Sequence, residues 1–116
     1  MNAAADELLR FISASPTPFH AVATAASMLT AAGFAPLAEE DAWDSLKPGR
    51  YFVNHDHTCL FAFVLPEGGE GFRIVGAHTD SPNLRLKPHP QYSKEGYAQL
   101  GVEVYGGVLL NSWLDR

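Results

Sequence analysis

The sequence predicts an α/β fold, with N-terminal helices packed on a mixed sheet. Three observations carry this prediction. Residues 19–29 hold an apolar stripe at helical spacing, residues 51–65 hold two apolar runs around a polar turn, and the apolar and charged shares of 47% and 18% fit a folded globular chain. At 116 residues the chain fits one domain, and a globule of this size buries roughly two thirds of the surface that its unfolded chain exposes.

The first helix is predicted over Asp6–Ile12, from Leu8, Leu9, Phe11 and Ile12. It must stop before Pro16, because proline disfavours the helical conformation in the residue before it. A second helix starts at Thr17, an N-cap, with Pro18 at the first helical position, where its missing N–H costs nothing. Phe19, Val22, Ala26 and Leu29 form its apolar stripe, and Gly33 closes it in a left-handed conformation.

The stretch from Phe34 to Arg50 reads as a connection carrying one short segment. "RYFVNHD" and "TCLFAFVLP" read as two strands joined by a turn near Asp56 and His57. Because "CLFAFVL" is apolar at every position, it fits a strand covered on both faces. "EGGEG" is a turn, and "FRIVGA" is expected to form a third strand ending at His78. "NLRLK" alternates apolar and polar residues, as half-buried strands do, and "YAQLGVEVYGG" alternates less cleanly towards Gly106 and Gly107. No internal repeat or low-complexity tract is present. "VLLNSWLDR" is an apolar ending without a cap or polar tail, which reads as a truncated C-terminus.

The net charge of -5, with Lys and Arg scattered, argues against nucleic acid or an anionic membrane as a partner. A single cysteine, Cys59, rules out a disulfide within the chain and suggests a reducing compartment. The start "MNAAADELLRF" is acidic where a secretory signal is basic, and no apolar run approaches the ~18 residues that span a bilayer. The expectation is a cytoplasmic protein.

The chemistry concentrates in "GAHTDSPNLRLKP", residues 76–88. His78 falls where a strand is expected to end and a loop to begin, the position at which open α/β sheets gather functional groups. In an extended chain His78 and Asp80 share a face, so the carboxylate can brace the imidazole or the group it binds. The same residues also suit ordinary turn chemistry, with Asp80 or Ser81 bonding nearby main chain. His55 and His57 form a His-x-His at the hairpin tip, where a solvated turn is the simpler reading and Asp56 points the other way. His20 and His89 read as structural or surface residues, and Cys59 as a small buried core residue. No Gly-x-Ser-x-Gly, P-loop or dinucleotide-binding glycine motif occurs.

At "GAHTDSPNLRLKP" the chain resembles the aspartyl aminopeptidase family of zinc metallopeptidases, as do "FISASPTPFHAV" and "VEVYGGVLLNSWLDR". The three segments occur in the family's order and extend the likeness over essentially the whole chain. The resemblance implies a cytoplasmic exopeptidase that removes acidic (Asp or Glu) N-terminal residues from peptides, with two zinc ions in the complete enzyme and homo-oligomeric assembly. It implies that His78 matches a zinc ligand, and that Asp80 matches the aspartate that orients this ligand and is counted among the catalytic residues. Family members are several times longer. Residues 1–116 are therefore expected to be the N-terminal part of a three-layer α/β catalytic domain, truncated at its C-terminus and inactive alone, because one His and one Asp cannot hold two metals. The alternative is a non-catalytic interaction or regulatory module derived from that fold.

Overall fold

A computed structural model describes residues 2–69, 71–107 and 109–113. They form two α-helices, five β-strands and a single 3-10 turn at Leu110–Trp113. The chain divides into two compact units, Met1–Asp80 and Ser81–Arg116.

In the first unit α1 (Ala3–Ala14) is capped by Asn2, whose side chain accepts from the Ala4 N–H at 3.2 Å. Asp6 in its first turn suits the positive end of the helix dipole. α2 (Pro18–Ala31) begins as its sequence dictates: Thr17 Oγ1 accepts from the His20 main-chain N–H, and Pro18 occupies the first turn. Its far end is a Schellman closure. Gly33 has φ +82°, its N–H donates to the Thr30 carbonyl, and the Phe34 N–H donates to the Leu29 carbonyl. Of the predicted stripe, Val22 is 1% exposed, whereas Phe19 is 58% exposed and faces away from the core.

β1 (Ala35–Leu37), β2 (Gly49–His55) and β3 (Cys59–Leu65) form a mixed sheet with β2 in the centre. β1 runs parallel to β2, and β3 runs antiparallel to it with His55 opposite Cys59 and Gly49 opposite Leu65. Pro36 is tolerated because β1 lies at an edge. The β2–β3 turn carries positive φ at Asp56 and His57, and Thr58 N–H bonds the His55 carbonyl. The three-residue loop between His55 and Cys59 thus turns through two left-handed residues.

α2 packs on β2 and β3, and α1 packs along α2. Phe52 and Val53 are neighbours on β2 and so point to opposite faces, yet both are buried, at 6% and 4% exposure. On the Val53 face, Tyr51 and Phe63 pack at a tilt with ring centroids 5.7 Å apart, and the ring of Trp43 from the β1–β2 connection lies 6.4 Å from that of Phe63. Trp43 is held there by its indole N–H, which donates to the Ala38 carbonyl at 2.9 Å. Arg50 donates to the Ala32 carbonyl at the C-terminal end of α2 and lies 5.8 Å from the Phe34 ring centroid. Its charge is well placed against the helix dipole.

Two expectations are corrected here. β3 is not covered throughout on both faces: Phe61 on one and Val64 on the other remain 60% and 61% exposed. "FRIVGA" forms no strand. Phe72, Ile74 and Val75 are 95%, 87% and 99% exposed, and residues 72–78 pair with no described strand. A strand exists through the ladder that bonds it, and apolar spacing specifies a side-chain pattern without supplying that partner. Cys59 is likewise half-buried rather than buried.

The second unit is an antiparallel ribbon of β4 (Asn83–Lys94) and β5 (Tyr97–Tyr105). Its register breaks between Leu86 and Gln91, so that Lys87–Pro90 stand against Gly101. Pro88 and Pro90 lack the N–H that a ladder needs, and His89 between them has φ +55°. Gly101 stands close to this bulge, where a side chain would lie 3.4 Å from the Pro90 carbonyl. Arg85 lies over the Tyr105 ring at 3.9 Å. Of the apolar ending, Val108, Leu114–Arg116 and the Trp113 side chain lie outside the described residues. Among the described residues no helix is long and apolar enough to cross a membrane.

Candidate metal-ligand segment

His78 and Asp80 lie at the end of the first unit, in a segment that joins no described strand, and their side chains turn towards each other. His78 Nδ1 is 2.6 Å from the main-chain carbonyl of Asp80 and 3.4 Å from its carboxylate Oδ1. Both neighbours are acceptors, so Nδ1 must carry the proton. The neutral ring then presents its lone pair at Nε2, the state in which an imidazole binds a metal. The His78 side chain is 78% exposed, which leaves the ring accessible.

The spacing of two residues therefore works in two ways. It brings the Asp80 carboxylate near the ring, and it brings the Asp80 carbonyl nearer still. Thr79 reaches elsewhere, its hydroxyl donating to the Thr58 carbonyl at 2.8 Å, on the β2–β3 turn. The segment is thus tied to the hairpin tip through the residue between His78 and Asp80.

The other histidines are placed differently. His55 Nδ1 lies 2.9 Å from both carboxylate oxygens of Glu39, and its Nε2 lies 3.6 Å from Asp56. The hydrogen bond to Glu39, the charge of Glu39 and then the charge of Asp56 raise the His55 pKa above its ordinary value, against a small opposing effect of desolvation. This corrects the expectation that Asp56 points the other way, and Glu39 is a second acidic neighbour. Glu39 stands 16 residues earlier and enters through the fold, so no local spacing could announce it. The pair borders an apolar hollow of about 350 Å³, lined by Trp43, Val53, Phe61 and Phe63. His57 is near the Asn54 side chain at 3.5 Å, and His20 Nδ1 is 2.7 Å from the Thr17 hydroxyl. Among the described residues no three His, Cys, Asp or Glu side chains gather as a metal-binding group. The donor chemistry of His78 fits one zinc ligand, and the chain supplies no set for a complete centre among these residues.

Comparison with known proteins decides the family. The profile of the aminopeptidase I zinc metalloproteases (M18) matches residues 11–116. The chain belongs to the M18 aminopeptidase family. It is 55% identical over 114 residues to a probable M18 family aminopeptidase 2 of Streptomyces avermitilis, covering 96% of this chain and 26% of that protein. A probable M18 family aminopeptidase 2 of Pseudomonas aeruginosa is 52% identical over 112 residues, covering 94% of this chain and 26% of that protein. This M18 chain thus spans about a quarter of the length of these relatives.

Solved M18 structures carry the same fold. The mApe1 dodecamer of S. cerevisiae matches with a TM-score of 0.79 at 34% identity, over 98% of this chain and 28% of that one. The M18 aminopeptidase of Thermotoga maritima matches with a TM-score of 0.80 at 30% identity, over 97% of this chain and 25% of that one. The α/β architecture of helices on a mixed sheet is that of part of an M18 domain.

Proposed function

We propose that this M18 chain is the N-terminal part, residues 1–116, of the catalytic domain of a cytoplasmic zinc aminopeptidase that removes acidic N-terminal residues from peptides. The observation that carries the reading is the His78 ring, with Nδ1 committed to two acceptors of Asp80 and Nε2 left with its lone pair. In this reading His78 holds one of two zinc ions and Asp80 orients the ring that holds it. Zinc, when bound, supplies a polarising charge and an acidified water. Asp80 keeps the proton on Nδ1 and raises the basicity of Nε2. The other ligands and the general base come from sequence beyond residue 116, so the 116-residue chain is inactive alone. The complete protein assembles as a homo-oligomer, a reading supported by the dodecameric mApe1 relative.

The test compares hydrolysis of aspartyl and leucyl chromogenic amides by the 116-residue chain and by the in-frame continuation of its gene, each with zinc and with a chelator. We expect activity only in the extended protein with zinc, with the aspartyl substrate preferred and with loss of activity in His78→Ala. Chelator-sensitive turnover by the short chain would overturn the division of ligands. A stop codon directly after Arg116, with no activity in any preparation, would instead favour a non-catalytic module of the same fold.

A further inference from the structure

The segment that bears His78 is anchored in an unusual way. Residues 72–78 have no ladder among the described strands, and Phe72, Ile74 and Val75 are almost fully exposed, so neither pairing nor side-chain burial fixes their direction. A ring on such a segment would aim its Nε2 anywhere. The Thr79 hydroxyl nevertheless donates to the Thr58 carbonyl at 2.8 Å, and Thr58 sits in a turn held by its own N–H to the His55 carbonyl at 3.2 Å. The acceptor is therefore fixed by the β2–β3 hairpin. On either side of Thr79, His78 and Asp80 close on each other through Nδ1 and the Asp80 carbonyl at 2.6 Å. One side-chain bond pins the middle of a three-residue clasp.

We propose that Thr79 is a positioning residue for His78: its hydroxyl, bonded to the Thr58 carbonyl, fastens the 78–80 clasp to the hairpin tip and so sets the tautomer and the direction of Nε2. The proposal rests on the reading of His78 as a zinc ligand for its functional meaning, and on the geometry alone for its structural meaning. A β-branched threonine suits the task, since its χ1 is stiff and the hydroxyl needs little further ordering. Valine keeps that shape without the donor. Serine keeps the donor.

The experiment uses the 116-residue chain with ¹⁵N-labelled histidine, as wild type, Thr79→Val, Thr79→Ala and Thr79→Ser, in alkaline buffer. Long-range ¹H–¹⁵N spectra read the tautomer of His78, and titration with zinc alone reads the response of its Nε2, while thermal unfolding monitors the fold. We expect a single Nδ1–H tautomer in wild type and Thr79→Ser. Thr79→Val and Thr79→Ala should show mixed tautomers and a zinc response weakened about three- to tenfold, the usual worth of one hydrogen bond. Recovery in Thr79→Ser separates positioning from bulk. An unchanged tautomer and zinc response in both folded donor-less variants would overturn the proposal, as would failure of Thr79→Ser to restore them. If millimolar zinc leaves the wild-type His78 ring unmoved, the tautomer comparison alone decides the role of Thr79, and loss of activity in His78→Ala of the extended protein remains the test of the zinc-ligand reading.

Discussion

His55 Nδ1 lies 2.9 Å from both carboxylate oxygens of Glu39, joining the end of β2 to the β1–β2 connection. The bond, the Glu39 charge and the Asp56 charge raise the His55 pKa above 6.5. A raised folded-state pKa stabilises the fold fully below the unfolded value, and this contribution is lost as pH rises through the folded value. Stability should therefore fall across a window that begins near 6.5 and extends upward to the raised pKa. NMR titration of His55 and thermal unfolding against pH check this, and Glu39→Gln should lower the His55 pKa and flatten that part of the stability profile. Because both side chains are about half exposed, salt should weaken the effect.

The start of α2 depends on Thr17. Its hydroxyl accepts from the His20 main-chain N–H and lies 2.7 Å from His20 Nδ1. Thr17→Ala should cost about 1 kcal/mol, lowering the melting temperature by about 3–6 °C in a chain of this length. Thr17→Ser should restore most of that loss in the same thermal scan.

Val22 and Val64 have the same side chain and opposite surroundings. Val22 is 1% exposed and Val64 is 61% exposed. Val22→Ala should destabilise by about 1–3 kcal/mol through lost burial and the cavity left behind. Val64→Ala should stay within about 0.5 kcal/mol. Urea unfolding of the two variants checks the contrast, and equal costs would contradict the assigned core.

Asp80 bears on His78 through two acceptors, and a substitution can remove only one. In Asp80→Asn the main-chain carbonyl at 2.6 Å remains, so the His78 ring should keep its Nδ1–H tautomer. The negative charge near the ring disappears at the same time, and ring ¹⁵N shifts of the two proteins check that the tautomer survives its loss. Loss of the tautomer together with the charge would show that the carboxylate, at 3.4 Å, does the holding.

The sequence spoke most clearly where the determinants were local. Thr17, Pro18 and Gly33 marked α2 through capping chemistry that needs no distant partner, and Asp56–His57 marked the hairpin turn. β1 escaped notice because three residues with a central proline carry no periodic signal, and its pairing with β2 depends on the fold. "FRIVGA" misled in the opposite direction, since its apolar residues suggest a strand while its main chain finds no described partner. At the site the two-residue spacing of His78 and Asp80 was legible, but the carbonyl that comes closest to the ring was not, since every residue has one. The Glu39–His55 and Thr58–Thr79 contacts span 16 and 21 positions, and no reading of neighbours could have joined them.

The burial of both Phe52 and Val53 has a consequence for how the hairpin finds its alignment. In most half-buried strands a slip of one position turns apolar side chains to water and is penalised at once. A strand that is apolar towards both sides lacks this safeguard, because the slipped pairing of β2 with β3 would bury almost as much. Alignment then falls to features that tolerate no displacement: Arg50 on the Ala32 carbonyl, the Tyr51 hydroxyl on the Lys47 carbonyl at 2.8 Å, and the left-handed pair Asp56–His57. Polar anchors at the margins thus add to the pairing what burial towards both sides leaves less sharply specified.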